Sequence, residues 1–373
     1  MIEFSTGVSI LFYALFFLLA LGWMYCAEKS KHTGNQILYL IAVLLTIGLP
    51  AMLRYNVGID FQFYLEWAEQ IKAAPNLQSA LTIADVEASF AVLMYGSYRL
   101  FGTSMAGFAF YGLFTQLFMV LGIWSFRKKA SPTISLLVYL TTFYLRTYNI
   151  MRQALAVAIV FFALQYLLNK QYKKYIIYVL IAMLFHTTAI TALALLWYYR
   201  PHQYKKKWHK VAAYLLPVVG LVCIELLMKI VFSISIFAQY RVGYDKIYDN
   251  SIFTIGTFLL FIKFGLYIGY RLLHRIKPCL LVPDIYTDML DKAMICDVVF
   301  TLMNFKILYA ARIGLFFTMP AFIGLSYIWG KSIRKTGGFS IYQLYTLFYT
   351  AVLFASAMLS NGYGHLPYRF GLY

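Results

Sequence analysis

Apolar runs long enough to cross a bilayer recur along this 373-residue chain. A helix needs about 20 such residues to span the hydrocarbon core. Clear candidates lie at 7–27, 36–53, 104–125, 211–236, 252–273, 293–310, 311–329 and 340–359. A water-soluble alternative fails on surface chemistry. Charged residues make up about a quarter of an ordinary soluble domain, whereas here they are 12% against 62% hydrophobic. The pattern predicts an all-α protein, a single polytopic transmembrane helical bundle over residues 1–373. It implies roughly 10–12 membrane segments, some of them short or re-entrant.

The formal charge is +18, from 32 Lys and Arg against 14 Asp and Glu. In a soluble protein this excess would raise nucleic acid as a partner. Here the basic residues sit in short clusters between apolar runs: Arg127–Lys129, Lys170/Lys173/Lys174, Lys205–Lys207, His274/Arg275/Lys277 and Lys331/Arg334/Lys335. That is the positive-inside pattern of cytoplasmic loops, and nucleic acid is excluded as a partner. Cys26, Cys223, Cys279 and Cys296 show neither CxxC nor Cys/His spacing, so they read as small packing residues rather than as metal ligands or a disulfide frame. The first apolar run lacks a basic n-region and is too long for a signal peptide. With Glu3 before it and Lys29 and Lys31 after it, it is expected to be an uncleaved helix with its N-terminus outside.

Three regions resist a simple count of crossings. Residues 133–168 are two shorter runs interrupted by Arg146, Asn149, Arg152 and Gln153, which reads as a hairpin with a polar apex facing outside. Residues 175–199 hold His186 near the middle and read as a short re-entrant hairpin, because a single crossing would put Lys205–Lys207 on the wrong side. Residues 87–101 are too short for a firm crossing. The stretch from Arg54 to Phe90 is acidic on balance and forms the outer loop 54–90; Phe61, Phe63, Tyr64, Leu65 and Trp67 mark an amphipathic helix at the interface. Gln239–Ser251 and Asn361–Tyr373 are the further outer loops.

Ionisable groups inside membrane segments cost several kcal/mol unless paired, and they mark candidate sites. Asp60 follows Arg54 and Gly58 directly after the second run and precedes Tyr64. A carboxylate there can take a proton from a sugar hydroxyl as a general base, while Arg54 equally fits an arginine snorkelling at a helix end. Glu87 opens an apolar segment, where a carboxylate also complements a helix N-terminus. Asn149, Arg152 and Gln153 start a long apolar helix with no acidic residue nearby in sequence, and a guanidinium fork binds phosphate in bidentate fashion. His186 sits in Phe185-His186-Thr187-Thr188, where it suits proton transfer or a hydrogen bond to phosphate. A lone histidine is more often a core residue, but in a membrane its partner must come from another helix. Arg312 interrupts an apolar stretch; Arg241 and Arg369 fall in aqueous loops.

Asp60, His186 and Arg152 are thus the catalytic candidates. Arg54, Tyr64, Glu87, Asn149, Gln153, Arg241, Arg312 and Arg369 are the substrate-binding ones. Fixed arginines can stabilise a departing pyrophosphate without a metal or cofactor, which points to glycosyl transfer from a polyprenyl diphosphate. Transfer of single sugars and lipid-linked glycan flipping are the competing readings.

The same residues carry a family resemblance. R-x-x-x-G-x-D-x-x-x-Y (Arg54, Gly58, Asp60, Tyr64), the Glu87 segment, N-x-x-R-Q-x-L-A (Asn149, Arg152, Gln153, Leu155, Ala156), F-H-T-[ST]-A (Phe185–Ala189) and the late Arg312 helix occur in order over most of the chain. In this set the sequence resembles the EpsG family, which belongs with the Wzy-type polymerases of O-antigen, capsule and exopolysaccharide. The resemblance implies a metal-independent enzyme of the bacterial cytoplasmic membrane, working at its outer face. Its substrates would be undecaprenyl-diphosphate-linked oligosaccharides held in membrane lipid, and a flippase and a chain-length regulator would be its partners.

Overall fold

The computed structural model describes residues 2–83, 86–199, 250–276, 284–305, 310–336 and 338–371, with Val211, Ala212, Leu215 and Val219 between them. Ser5 accepts a hydrogen bond from the Val8 amide and starts α1 (Thr6–Lys29), and α2 (Thr33–Leu53) follows it. The polar stretch folds into α3 (Phe61–Lys72), α4 (Leu77–Ile83) and α5 (Ala88–Phe101), and leads into α6 (Met105–Ser125). α7 (Pro132–Tyr139) continues through a π-helical turn (Leu140–Tyr144) and a 3-10 turn (Leu145–Tyr148), and α8 (Met151–Leu168) succeeds it. α9 (Tyr172–Phe185), a 3-10 segment (Thr187–Ala194) and α10 (Leu195–Tyr198) complete the first part. The second part holds α11 (Asn250–Ile276), α12 (Ile285–Met303), α13 (Ala310–Thr318), α14 (Ala321–Thr336) and α15 (Ile341–Ser360).

The all-α polytopic bundle forms. Among the described residues, six helical stretches are long and apolar enough to cross a membrane: Thr6–Lys29, Thr33–Leu53, Met105–Ser125, Met151–Leu168, Ala310–Ser332 and Ile341–Ser360. The run expected at 211–236, the Lys205–Lys207 cluster and the loop from Gln239 lie outside the described residues, apart from isolated positions. The crossing expected at 293–310 is displaced: α12 starts at Ile285 and carries acidic residues along its length. Each is neutralised, Asp284 by Lys331 at 2.7 Å, Asp288 by Lys292 at 2.8 Å, Asp291 by Arg271 at 2.9 Å and Asp297 by Lys263 at 2.7 Å.

Helices approach closely where a glycine allows it. A Cβ on Gly112 of α6 would stand 2.6 Å from the Ala51 carbonyl of α2. Buried tyrosines then tie helices together through backbone carbonyls, as a dry interior requires of a hydroxyl. Tyr144 donates to Ile47 O at 2.6 Å, Tyr368 to Pro50 O at 2.7 Å and Tyr13 to His365 O at 2.8 Å. Much of the aromatic excess is therefore core packing.

Two contacts give the bundle its ends. Glu28, at the close of α1, accepts from Ser131 Oγ at 2.8 Å and Thr133 Oγ1 at 2.6 Å. This brings the Arg127–Lys129 turn to the end that carries Lys29. At the other end β1 (Ile2–Glu3) pairs antiparallel with β2 (Arg369–Phe370), and Gly58 N donates to Gly364 O at 2.8 Å. The C-terminal segment is thereby laid across the loop after α2.

The ambiguous segments resolve as short elements at this second end. Gly102, left-handed at φ 72°, ends α5 and turns the chain into α6. The opening of α6 lies near the loop before α3, since Phe108 stacks on Phe61 with centroids 5.2 Å apart. Residues 87–101 therefore do not cross. Tyr175 of α9 donates to Ala192 O at 2.7 Å, which folds the 3-10 segment back along α9 and leaves His186 at the bend. The amphipathic helix exists as α3, but it rests on the protein. Its apolar stripe of Phe61, Tyr64, Ala68 and Ile71 is buried, with Phe61 against Phe108 and Tyr64 against Phe90.

Candidate functional site

Several helical elements begin at one place. α3 opens after Asp60, α5 after Glu87, α8 at Met151 and the 3-10 segment after His186, and the described part of α13 opens at Ala310. Helix N-termini present unbonded amides and the positive end of the helix dipole, so this focus favours negative charge. It lies just beyond the π-helical and 3-10 turns that follow α7, irregularities that are common beside functional sites.

Glu87 is the hub. One carboxylate oxygen binds Arg152 Nη1; the other lies 3.3 Å from His186 Nδ1 and accepts the Thr187 amide at 3.2 Å. Its side chain is 4% exposed, that of Arg152 14%. An arginine in the first turn of a helix opposes the dipole, which adds to the need for a carboxylate. The Arg152 guanidinium also lies against aromatic rings, 5.0 Å from Trp67, 5.6 Å from Tyr64 and 5.7 Å from Phe90. Each such contact contributes about 0.5–2 kcal/mol, more when desolvated.

Asp60 forms the second centre. Its Oδ2 binds Arg312 Nη2 at 3.0 Å, and its amide donates to Asn149 Oδ1 at 2.8 Å. Among the described residues nothing donates to its other carboxylate oxygen. Burial raises the Asp60 carboxyl above the ordinary carboxylate value, while the charges of Arg312 and then Arg152 pull it back. Gln153 links the two centres, donating to Arg312 O at 3.0 Å and to Thr188 Oγ1 at 3.4 Å.

The structure therefore brings together Asp60, Tyr64, Glu87, Asn149, Arg152, Gln153, His186 and Arg312. It does not bring Arg54 and Arg369 into contact with them. Arg54 is 3% exposed, bonded to Ala51 O, stacked 5.0 Å from the Tyr148 ring and beside Met151 Sδ. Arg369 pairs with Glu3 at 3.0 Å and donates to Asn56 O, so it fastens the terminal strands. Arg241 lies outside the described residues. The expectation that Arg152 has no carboxylate is corrected: its neutraliser stands 65 positions away in the chain, on another helix. Trp67, Phe90, Tyr363 and Arg146 also belong to this region and were not singled out for it. Arg146 was visible as part of the polar apex within 133–168, but its role depends on which cations find carboxylates.

These features define a multi-pass membrane protein whose polar centre is made of paired arginines and carboxylates at one end of a helical bundle. The chain belongs to the EpsG family, whose pattern matches residues 37–370. That is a family of Wzy-like polysaccharide polymerases. No curated protein and no solved structure matches the chain.

Proposed function

We propose that this protein is a polysaccharide polymerase that moves a growing glycan from undecaprenyl diphosphate to the non-reducing end of a lipid-linked repeat unit. The bundle end carrying Asp60 faces the outside of the bacterial cytoplasmic membrane. The basic turns at Lys29 and Arg127–Lys129, gathered at the opposite end, support this orientation. The acceptor hydroxyl oxygen bonds to the anomeric carbon of the donor. The bond from that carbon to the diphosphate breaks, leaving its electron pair on the diphosphate oxygen. The hydroxyl proton passes to the free carboxylate oxygen of Asp60.

Arg312 orients that base and, with Arg152, supplies positive charge where the leaving group gains negative charge. Glu87 holds Arg152 and His186 in place and is itself too enclosed to touch a sugar. His186, with Nδ1 turned to Glu87, offers its other ring nitrogen to the diphosphate. The observation that carries the reading is the convergence of Asp60, Arg312, Glu87, Arg152 and His186, from separate helices, on one focus of helix N-termini.

The test is reconstitution of the purified protein with a defined undecaprenyl-diphosphate oligosaccharide. A ladder of repeats, insensitive to EDTA, is the expected product. A single added sugar makes the protein a transferase, and movement of the lipid-linked unit without bond formation makes it a flippase.

A further inference from the structure

Among the described residues, the charge balance at the site leaves one accessible cation without a carboxylate. Arg152 is held by Glu87 and Arg312 by Asp60. Arg54 has no carboxylate among the described residues but is sealed from solvent. Arg146 differs from all three. It lies in the 3-10 turn before α8 and is half-buried, and among the described residues no carboxylate comes within ion-pair distance of it. Its guanidinium stands 5.9 Å from the centre of the Tyr363 ring. Of its charged neighbours, Arg312 repels it and Asp297 attracts it, and Asp297 is already engaged by Lys263 at 2.7 Å.

Arg146 is nevertheless fixed beside the base. Its carbonyl accepts the Asn149 and Ile150 amides at 3.1 and 3.3 Å, and Asn149 in turn holds the Asp60 amide. On the other side, the Tyr363 carbonyl accepts the Ile59 amide at 3.3 Å. A guanidinium short of a counter-charge and reachable, held through Asn149 beside Asp60 and that base's partner Arg312, is an incomplete arrangement. A diphosphate oxygen completes it, because guanidinium binds phosphate through paired hydrogen bonds, and the half-buried Tyr363 ring flanks the Arg146 guanidinium.

We infer that Arg146, together with Arg312 and Tyr363, forms one wall of the diphosphate site, facing the charge that the Glu87-held Arg152 supplies. This rests on the polymerase reading for the identity of the lipid, but not for the anion chemistry. The bonds from Asn149 and Ile150 reach the Arg146 carbonyl rather than its side chain, so changing the side chain leaves them in place.

The experiment uses the full chain in nanodiscs, titrated with inorganic pyrophosphate and separately with undecaprenyl diphosphate, and followed by the thermal unfolding midpoint. Saturable stabilisation of the wild type is expected with at least one probe. Response to pyrophosphate means the headgroup suffices; response to undecaprenyl diphosphate alone means the lipid delivers it. Arg146→Gln should raise the half-saturating concentration about tenfold or more, the scale of one charge-assisted contact. Arg146→Lys should recover part of that loss, and Arg369→Gln should leave it unchanged. Wild-type affinity in Arg146→Gln, or no saturable response of the wild type to either probe, overturns the inference. The polymerase reading is separable: a loss of binding in Arg146→Gln without any glycan ladder from the wild type keeps the anion site and removes the polymerase, and the reverse outcome does the opposite.

Discussion

Arg152, in the first turn of α8, is joined to Glu87, at the start of α5, by an ion pair in which both side chains are largely buried. Glu87 is simultaneously the anchor of His186 and of the Thr187 amide. One carboxylate thus sets the positions of two candidate site residues on different elements. Removing either partner of such a pair strands a charge in a largely desolvated site.

Arg152→Ala and Glu87→Ala are each expected to destabilise the protein by about 3–5 kcal/mol, whereas replacing both with apolar residues of similar volume should restore much of the stability. Thermal unfolding of the two single variants and of Glu87→Leu/Arg152→Met in detergent checks this. The double variant should fold and make no polymer. If the double variant is as unstable as the sum of the singles, the pair is not coupled as described.

Asp60 sets the expected pH dependence. A general base acts in its ionised form, and burial raises its carboxyl, so the rate should fall as pH drops through a value above the ordinary aspartate range of about 4. Arg312 favours the ionised form; Arg312→Gln should therefore move this acid limb to higher pH, and Arg312→Lys should move it less. Asp60→Asn should lower the turnover about 10²–10⁴-fold. A pH–rate profile of the wild type and these variants reads all three outcomes, and an acid limb unmoved in Arg312→Gln would count against Asp60 as the base.

Gly58 has φ 107°, and a Cβ there would lie 2.5 Å from the Tyr148 carbonyl. Backbone cannot yield as a flexible side chain does. Gly58→Ala should cost about 1–3 kcal/mol and displace Asp60 from Arg312 and Asn149. The measurements are a lowered unfolding midpoint and a loss of polymer product out of proportion to the protein that remains folded.

Arg369 provides a contrast. Its pair with Glu3 is partly exposed, and such pairs are worth about 0–1 kcal/mol. Arg369→Ala should leave the unfolding midpoint within a few degrees of the wild type, a shift of the size about 1 kcal/mol produces, and polymer yield nearly unchanged. A loss of activity comparable to that of Arg312→Ala would place Arg369 in the site after all.

Much of the site was legible because a membrane makes polar residues conspicuous. Asp60, Glu87, Arg152, His186 and Arg312 each interrupt or border an apolar run, and their chemical types already suggested a diphosphate and a base. Arg54 carries the same local signal, Arg369 falls in an aqueous loop, and both lie apart from the cluster. Sequence neighbours cannot say whether a guanidinium meets a carbonyl, a glutamate or open space. Tyr64 and Asn149 were visible as motif residues; that one lies against Arg152 and the other holds the Asp60 amide depends on how α3 and α8 meet.

The chain's long apolar runs fixed the membrane bundle by themselves, because hydrocarbon accepts a backbone only when its hydrogen bonds are closed within helices or barrels. Tertiary structure alone decided which charges neutralise each other. Glu87 reaches Arg152 and His186, and Asp60 reaches Arg312, only because α3, α5, α8, α13 and the bend after α9 all begin at the same end. Charge pairing depends on separation in space, and between helices that separation is set by packing rather than by distance along the chain.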